Sequence, residues 1–162
     1  MIPATPPAII APAEMPAHVS NSFEFTIDAP LARAAPLFGP EGERSWAGPS
    51  WNPVFLYPRP AEDREGAVFT VRHGAHDSVW VNTLFDLDHG RMQYVAIIPA
   101  MVATVIDVRL IPEGAGTRAR VGYTRTALTA QANADVTALG QKDAASAEEW
   151  RSAIAAALEA QR

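Results

Sequence analysis

The chain has 162 residues, 48% of them hydrophobic, a length that suits one domain with its own core better than two domains. Its formal net charge is -5, and no block of Lys or Arg forms a stripe, which argues against binding to nucleic acid or to an anionic membrane surface. The absence of cysteine excludes disulfides, a thiolate nucleophile and Cys-based metal sites, and it is compatible with a reducing cytoplasm.

Residues 1–20 are predicted to form an extended arm, because their first sixteen are rich in alanine and proline. The segment lacks both the basic start and the unbroken apolar stretch of a secretory signal. No later apolar run approaches the roughly 20 residues that a membrane span requires. We therefore expect a cytoplasmic protein without membrane insertion, whose single domain occupies residues 21–162.

The body of the chain is predicted to consist mainly of β-strands. Residues 22–28 alternate apolar and polar side chains, which is typical of a strand with one buried face. Two short helices are expected next, over residues 31–38 and 41–46, with Pro30 in the first turn of the former. Turns that contain Gly, Asp or Pro then separate six further strands. These strands are placed at residues 54–57, 67–73, 78–87, 91–98, 104–111 and 117–128.

Residues 136–160 are predicted to form one long amphipathic helix. Its apolar residues recur at spacings of three and four, as on one face of a helix. They are Val136, Leu139, Ala147, Trp150, Ile154, Ala157 and Leu158. Gly140 and Asp143 interrupt the first half of this stripe, so that half either frays into solvent or faces a hollow instead of a packed core.

The predicted fold class is α+β. The short connections between strands require antiparallel neighbours, because a parallel pair needs a long crossover. We expect a curved seven-stranded antiparallel sheet that wraps around the long C-terminal helix, with the two short helices between strands 1 and 2. A pocket can persist between sheet and helix, because the two do not meet along their whole length.

Several motifs distributed over residues 22–158 are informative about the fold family. They are Pro40-Glu41-Gly42-Glu43-Arg44 with Trp46, the segment from Trp51 to Pro58, Glu65 to Phe69 with Arg72-His73, Tyr123-Thr124 with Thr126 to Thr129, and Glu149-Trp150 with Ala153-Ile154. Together they resemble the START-like helix-grip superfamily, also called the SRPBCC or Bet v 1-like group, and within it the small bacterial SRPBCC proteins. The resemblance implies a helix-grip fold. It does not select a function, because the superfamily includes lipid carriers, hormone receptors, polyketide cyclases and co-chaperone domains.

Two polar residues are candidates for catalysis, His73 and Asp143. His73 ends a strand on its apolar side, where it is either a buried imidazole able to bind ligand or move a proton, or a structural histidine. Asp143 falls within the helical stripe, where burying it ionised would cost several kcal/mol unless it were paired. It is expected to lie at a wet pocket mouth, to contact ligand, or to pair with an arginine such as Arg125.

The predicted ligand-binding residues are largely aromatic, because aromatic rings offer broad apolar contact and some carry a polar tip. The full set is Trp46, Trp51, His73, Trp80, Tyr94, Tyr123, Arg125, Leu139 and Asp143. Strand alternation does not decide which face Trp80 takes, and Trp150 is expected to be structural. The spacing of the histidines suggests no metal site, and the sequence indicates no cofactor.

Three functions fit these patterns. The first is binding or carriage of a small, largely hydrophobic molecule between sheet and helix. The second is a cyclase-, aromatase- or dehydratase-like enzyme that uses the same hollow, with His73 as acid or base, Tyr94 or Tyr123 as hydrogen donor, and Asp143 as orienting or proton-donating group. The third is a protein-interaction module like the co-chaperone domains, which would have a filled interior and an exposed apolar patch. The sequence leaves open whether the protein is a monomer or a homodimer.

Overall fold

Seven strands form one antiparallel sheet in the structure, a computed structural model that describes residues 14–162. The strands are β1 His18–Ile27, β2 Val54–Tyr57, β3 Val68–His73, β4 His76–Asp86, β5 Arg91–Ile98, β6 Val102–Glu113 and β7 Gly116–Ala127. Their order in the sheet is β1-β7-β6-β5-β4-β3-β2, so strands two to seven follow one another as a meander and β1 pairs with β7. This arrangement confirms the predicted helix-grip fold.

The helices lie between β1 and β2 and at the end of the chain. The first group comprises α1 Leu31–Ala34 and two 3-10 turns, Ala35–Phe38 and Gly42–Ser45, in agreement with the two short helices expected there. After β7 come a 3-10 turn at Ala130–Ala132, then α2 Asn133–Ala144 and α3 Ala147–Ala160.

The prediction of a single uninterrupted terminal helix was wrong, because Ala145 and Ser146 separate α2 from α3. The amides of Ala145 and Ser146 bond to the carbonyls of Lys142 and Asp143, three residues back, which tightens the backbone. The Ser146 hydroxyl also donates to the Lys142 carbonyl at 2.9 Å, a bond that commonly bends helices. Both helices contact β1, and α2 also contacts β7.

Strand β1 begins earlier than the sequence suggested. Its pairing with β7 starts at His18, opposite Thr126, so residues 18–20 belong to the sheet and not to the predicted arm. Ala17 is also anchored, since its amide donates to the Asn133 side chain at 2.7 Å and its carbonyl accepts from the Ala127 amide at 2.8 Å. The first thirteen residues of the predicted arm lie outside the described residues.

The main core lies between the inner face of the sheet and α3. Phe23 and Phe25 of β1 pack there with Ile154 and Leu158 of α3 and with Phe38. A second apolar cluster forms around Phe55, Phe69 and Val71, and a third joins Val102 and Ala127 to Val136 of α2. These clusters occupy different parts of the interior, and the space between them is not filled.

Gly140 lies at the closest approach of α2 to β1. A Cβ atom on this residue would come within 2.9 Å of the Val19 side chain. Gly140 is therefore buried against a strand, so the expectation of a frayed turn was wrong, while Leu139 beside it lines a cavity, as the expectation of a hollow requires.

None of the helices in residues 14–162 has the length and apolar character needed to cross a bilayer.

Candidate functional site

Two adjoining cavities occupy the space between the sheet and the terminal helices. Cavity A has a volume of about 330 Å³ and extends from the Gly42–Ser45 turn to α3. Cavity B has a volume of about 360 Å³ and extends towards the β5–β6 turn and α2. Both volumes lie at the lower end of the range typical of small-molecule sites. Trp51, His73, Trp80, Ile106 and Tyr123 line both cavities, which therefore form one hollow with two compartments.

Cavity A is surrounded by indole rings, because all four tryptophans of the chain line it. Trp46 and Trp150 form one pair, with ring centroids 4.8 Å apart, and Trp51 and Trp80 form another at 5.4 Å. Phe69 stacks on Trp80 at 5.8 Å. These rings supply a large apolar surface that a planar or bulky hydrophobic molecule could contact.

Three of the indole N–H groups are engaged by the protein. Trp46 Nε1 donates to the Leu37 carbonyl at 2.7 Å, and Trp51 Nε1 donates to the Pro40 carbonyl at 2.9 Å. Trp80 Nε1 donates to the Ser78 hydroxyl at 2.7 Å, which places Trp80 on the inner face of the sheet and leaves Val79 exposed outside. These bonds fix the ring orientations, so the surfaces facing the cavity are mainly apolar.

Glu43 brings a carboxyl group to the wall of cavity A. Its backbone is fixed at both ends, since its amide donates to the Gly39 carbonyl and its carbonyl accepts from the amides of Trp46 and Ala47. Burial, and then the nearby negative charge of Asp63, raise the pKa of Glu43 well above its ordinary value. Sequence analysis did not select this residue, because Glu-Gly-Glu-Arg is a polar segment of the kind that usually forms a solvated turn.

Two tyrosines face the same compartment. Tyr94 is buried, and its hydroxyl donates to the Phe38 carbonyl. The pKa of Tyr94 and that of Tyr123 are both raised, chiefly by burial and next by the negative charge of Glu43. Glu43 is thus close enough to influence both phenols. These three groups join His73, Lys142 and Glu149 as the ionisable side chains that line cavity A.

An ion pair borders cavity B. The Arg125 guanidinium donates to both carboxylate oxygens of Asp143, at 2.6 and 2.7 Å, and to the Thr104 hydroxyl at 3.1 Å. It also lies 4.7 Å from the centre of the Tyr123 ring. Of the alternatives considered for Asp143, the structure shows the arginine pair. Arg125 and Leu139 line cavity B. Asp143 is buried behind Arg125 and does not itself line the cavity.

His73 is exposed at the rim where the two cavities meet. Partial enclosure of its ring lowers the pKa of His73, which favours the neutral imidazole. This position matches a strand-end histidine and not the buried imidazole that was the other possibility. His76, its cross-strand neighbour, lines the rim of cavity B.

The structure brings most of the predicted ligand-binding residues to one hollow. Those that line cavity A are Trp46, Trp51, His73, Trp80, Tyr94 and Tyr123. Trp150, expected to be purely structural, both packs against Phe23 at 5.3 Å and lines cavity A. Lys142 and Glu149 lie exposed at its mouth, and neither was predicted. Lys142 is the single lysine of the sequence.

Within residues 14–162, no group of three or more His, Asp or Glu side chains is arranged to hold a metal ion.

Comparison with solved structures identifies proteins of similar fold. Mll3558 from Rhizobium loti superposes with a TM-score of 0.61 at 20% identity, over 89% of this chain and 99% of that one. Ara h 8.0201 gives a TM-score of 0.63 at 12% identity, over 88% of this chain and 99% of that one. Norcoclaurine synthase from Thalictrum flavum, in complex with dopamine and hydroxybenzaldehyde, gives 0.65 at 11% identity, over 98% and 99% of the two chains.

These similarities confirm the Bet v 1-like helix-grip fold that the sequence motifs implied. At identities this low, they show the fold alone. No protein-family model matches the chain, and no curated protein is similar enough in sequence to be matched.

Proposed function

We propose that this protein binds or carries a small, largely hydrophobic molecule in the hollow between its sheet and its terminal helices. The observation that carries the proposal is the convergence of all four tryptophans on cavity A. Burying these rings in a packed core would stabilise the fold more than leaving them around an open space, because a void forfeits contacts. An aromatic-lined cavity of about 330 Å³ is instead suited to a bound guest.

The neighbours of similar fold support this proposal by analogy. Norcoclaurine synthase holds two small aromatic molecules in the complex named above. The open interior also distinguishes the proposal from a protein-interaction module, for which we expected a filled interior.

A fluorescence titration with N-phenylnaphthylamine, which is uncharged at neutral pH, tests the proposal. Ala153 of α3 lines cavity A, so Ala153→Phe places a ring into the space the probe would occupy. Ala156→Phe adds the same ring to an exposed position of the same helix and serves as the matched control. We expect saturable binding to the wild type and to A156F, and binding at least about tenfold weaker to A153F. Equal affinity for all three proteins, or no saturable binding to the wild type, would contradict the proposal.

An acid–base enzyme that uses the same hollow is the second candidate, and the enclosed carboxyl of Glu43 is the observation that favours it. His73 is a weaker candidate for this role than the sequence suggested, because it is exposed at the rim. Any compound that binds should therefore be recovered after prolonged incubation and analysed by mass spectrometry. A carrier returns it unchanged, whereas an enzyme returns a product that is absent when Glu43→Gln replaces the wild type.

A further inference from the structure

The carboxyl of Glu43 is held in place without a cationic partner. Its turn is fixed by Asp63, whose two carboxylate oxygens accept from the amides of Glu41 and Gly42 at 2.8 and 3.1 Å. Arg44, the adjacent cation, is engaged elsewhere, by Glu41 at 2.8 Å and by the Asn52 side chain at 2.9 Å. Among the described residues, none forms a hydrogen bond or salt bridge with the Glu43 side chain. The carboxyl is half-buried and its oxygens remain open to cavity A, where a ligand rather than the protein can pair with them.

The other ionisable groups around cavity A do not supply that partner. Tyr94 of β5 and Tyr123 of β7 are neutral acids, and His73 of β3 lies at the rim. Lys142 of α2 and Glu149 of α3 lie at the mouth, and Asp63 lies beside the Glu43 turn. Lys142 and Glu149 carry opposite charges and both are exposed, so together they add no net charge at the entrance. The inner part of the compartment therefore presents a carboxyl group and aromatic rings.

Aromatic faces and a carboxylate attract the same kind of chemical group. The electron-rich faces of Trp rings, and less strongly of Tyr rings, bind organic cations within about 6 Å of their centres. A carboxylate in the same compartment forms a charge-assisted hydrogen bond with an ammonium group. An anionic headgroup would oppose the ionisation of Glu43, as the charge of Asp63 already does.

We propose that the molecule bound in cavity A carries a protonated amine on its apolar body, and that Glu43 holds this amine against the surrounding indoles. The inference rests on the proposed binding function and specifies its ligand class as hydrophobic amines. Neutral hydrophobic molecules would bind the same rings without using the carboxyl.

Release of a proton on amine binding would distinguish this arrangement from the binding of a neutral molecule. The raised pKa of Glu43 keeps its carboxyl protonated in the empty cavity over a pH range in which a free carboxyl has ionised. A bound ammonium stabilises the carboxylate, so Glu43 releases its proton to solvent while the amine keeps its own. Affinity for the amine therefore rises with pH up to the pKa of the empty-state carboxyl, and then levels off until the amine itself deprotonates.

Three naphthyl compounds of similar size test the inference by calorimetry: naphthylethylamine, naphthylethanol and acetonaphthone. Each is titrated into the wild type, Glu43→Gln and Glu65→Gln at several pH values below the pKa of the amine. E43Q keeps the size of the side chain and loses its charge, whereas E65Q removes one charge at an exposed position that lines neither cavity and serves as the matched control. Titration of the wild type in buffers of different ionisation enthalpy counts the protons released, independently of any variant.

We expect the wild type and E65Q to bind the amine at least about tenfold more tightly than the alcohol, and E43Q to lose this preference. Proton release by the wild type should accompany amine binding and not alcohol binding.

Equal affinity for amine and alcohol, or a preference that persists in E43Q, would overturn the inference and leave the binding function intact. Tighter binding of acetonaphthone that weakens as pH rises would also overturn it, since Glu43 would then act as a proton donor to a carbonyl. Failure of all three compounds to bind would contradict both the inference and the proposed function.

Discussion

Arg125 of β7 and Asp143 of α2 are joined by two parallel hydrogen bonds of 2.6 and 2.7 Å, with side chains that are 14% and 9% exposed. The pair connects the sheet to the helix at the edge of cavity B. Arg125 Nη1 donates to the Thr104 hydroxyl, so all three nitrogens of the half-buried guanidinium have a partner. The pair positions α2 over the hollow, and this structural role explains why a carboxylate interrupts the apolar stripe.

Removing one member of this pair should be costly, whereas removing both should not. Asp143→Leu leaves a buried guanidinium without its partner, and we expect a loss of about 3 kcal/mol in the free energy of unfolding. The double variant Arg125→Met/Asp143→Leu should recover most of that loss, because both desolvated charges are gone. Urea denaturation of the single and double variants gives the coupling energy. Additive losses would show that the two residues do not act as a pair.

Glu43 should make stability depend on pH. A carboxyl whose pKa is raised in the folded state binds more protons folded than unfolded, so the free energy of unfolding falls as pH rises from the ordinary Glu value towards the raised one. This fall is at most about 1.4 kcal/mol per pH unit. Glu43→Gln removes it, so the variant should match the wild type near pH 4 and be more stable at neutral pH. Denaturation at several pH values, with Glu149→Gln as the control for net charge, measures the difference. A wild type that remains as stable as E43Q at neutral pH would contradict the raised pKa of this carboxyl.

Although no basic stripe is visible in the sequence, the pairing of β5, β6 and β7 aligns three arginines across the outer face of the sheet. Arg109 lies directly opposite Arg91 on one side and Arg120 on the other, and all three side chains are exposed. Like charges in direct cross-strand positions are destabilising, so Arg109→Thr should raise stability by about 0.2–1 kcal/mol, with a smaller gain at high salt.

Arg118→Thr is the matched control for this substitution. Arg118 belongs to the same strand and is also exposed, but its cross-strand neighbours are Ile111 and Thr26. Equal effects of R109T and R118T in thermal denaturation would show that the gain does not come from the arginine row.

Ala100 adopts a left-handed backbone conformation, with φ of 58°, in the turn between β5 and β6. A side chain is strained in this region, so Ala100→Gly should stabilise the protein by up to about 1 kcal/mol, offset partly by the greater freedom of glycine when unfolded. Gly90→Ala should have the opposite effect, because φ there is 62° and a Cβ would come within 2.3 Å of the Leu110 carbonyl oxygen. Thermal denaturation of both variants checks the signs, and a destabilised A100G would refute the assignment of strain.

The sequence predicted the sheet well because its strands alternate and its turns contain glycine, aspartate or proline. It predicted the ends of the chain less well. Local patterning at residues 18–20 gives no sign of their pairing with β7, which lies about a hundred residues away. The segment around Ala145 and Ser146 contains no glycine or proline, and its one sign of a new helix is the spacing of Ser146 and Glu149, which is that of a capping box.

Residue type predicted the aromatic part of the candidate site but not its polar part. Large aromatics in a helix-grip fold are natural candidates for a pocket wall, and six predicted residues line cavity A. The position of Glu43 at the cavity wall was not predicted, because it depends on a turn that Asp63 fixes from twenty residues further along the chain. Trp150 was assigned to packing alone, since helical spacing does not show that one ring can both pack and border a void.

The four indole N–H signals of a ¹H–¹⁵N NMR spectrum provide the most direct test of the central claim, which is that the tryptophans surround a space able to hold a guest. During titration with N-phenylnaphthylamine, we expect the indole signals of Trp46, Trp51, Trp80 and Trp150 to shift along one saturation curve with one probe per chain. Indole signals that stay unchanged at a saturating probe concentration, while only amides on the outer face of the sheet respond, would contradict it.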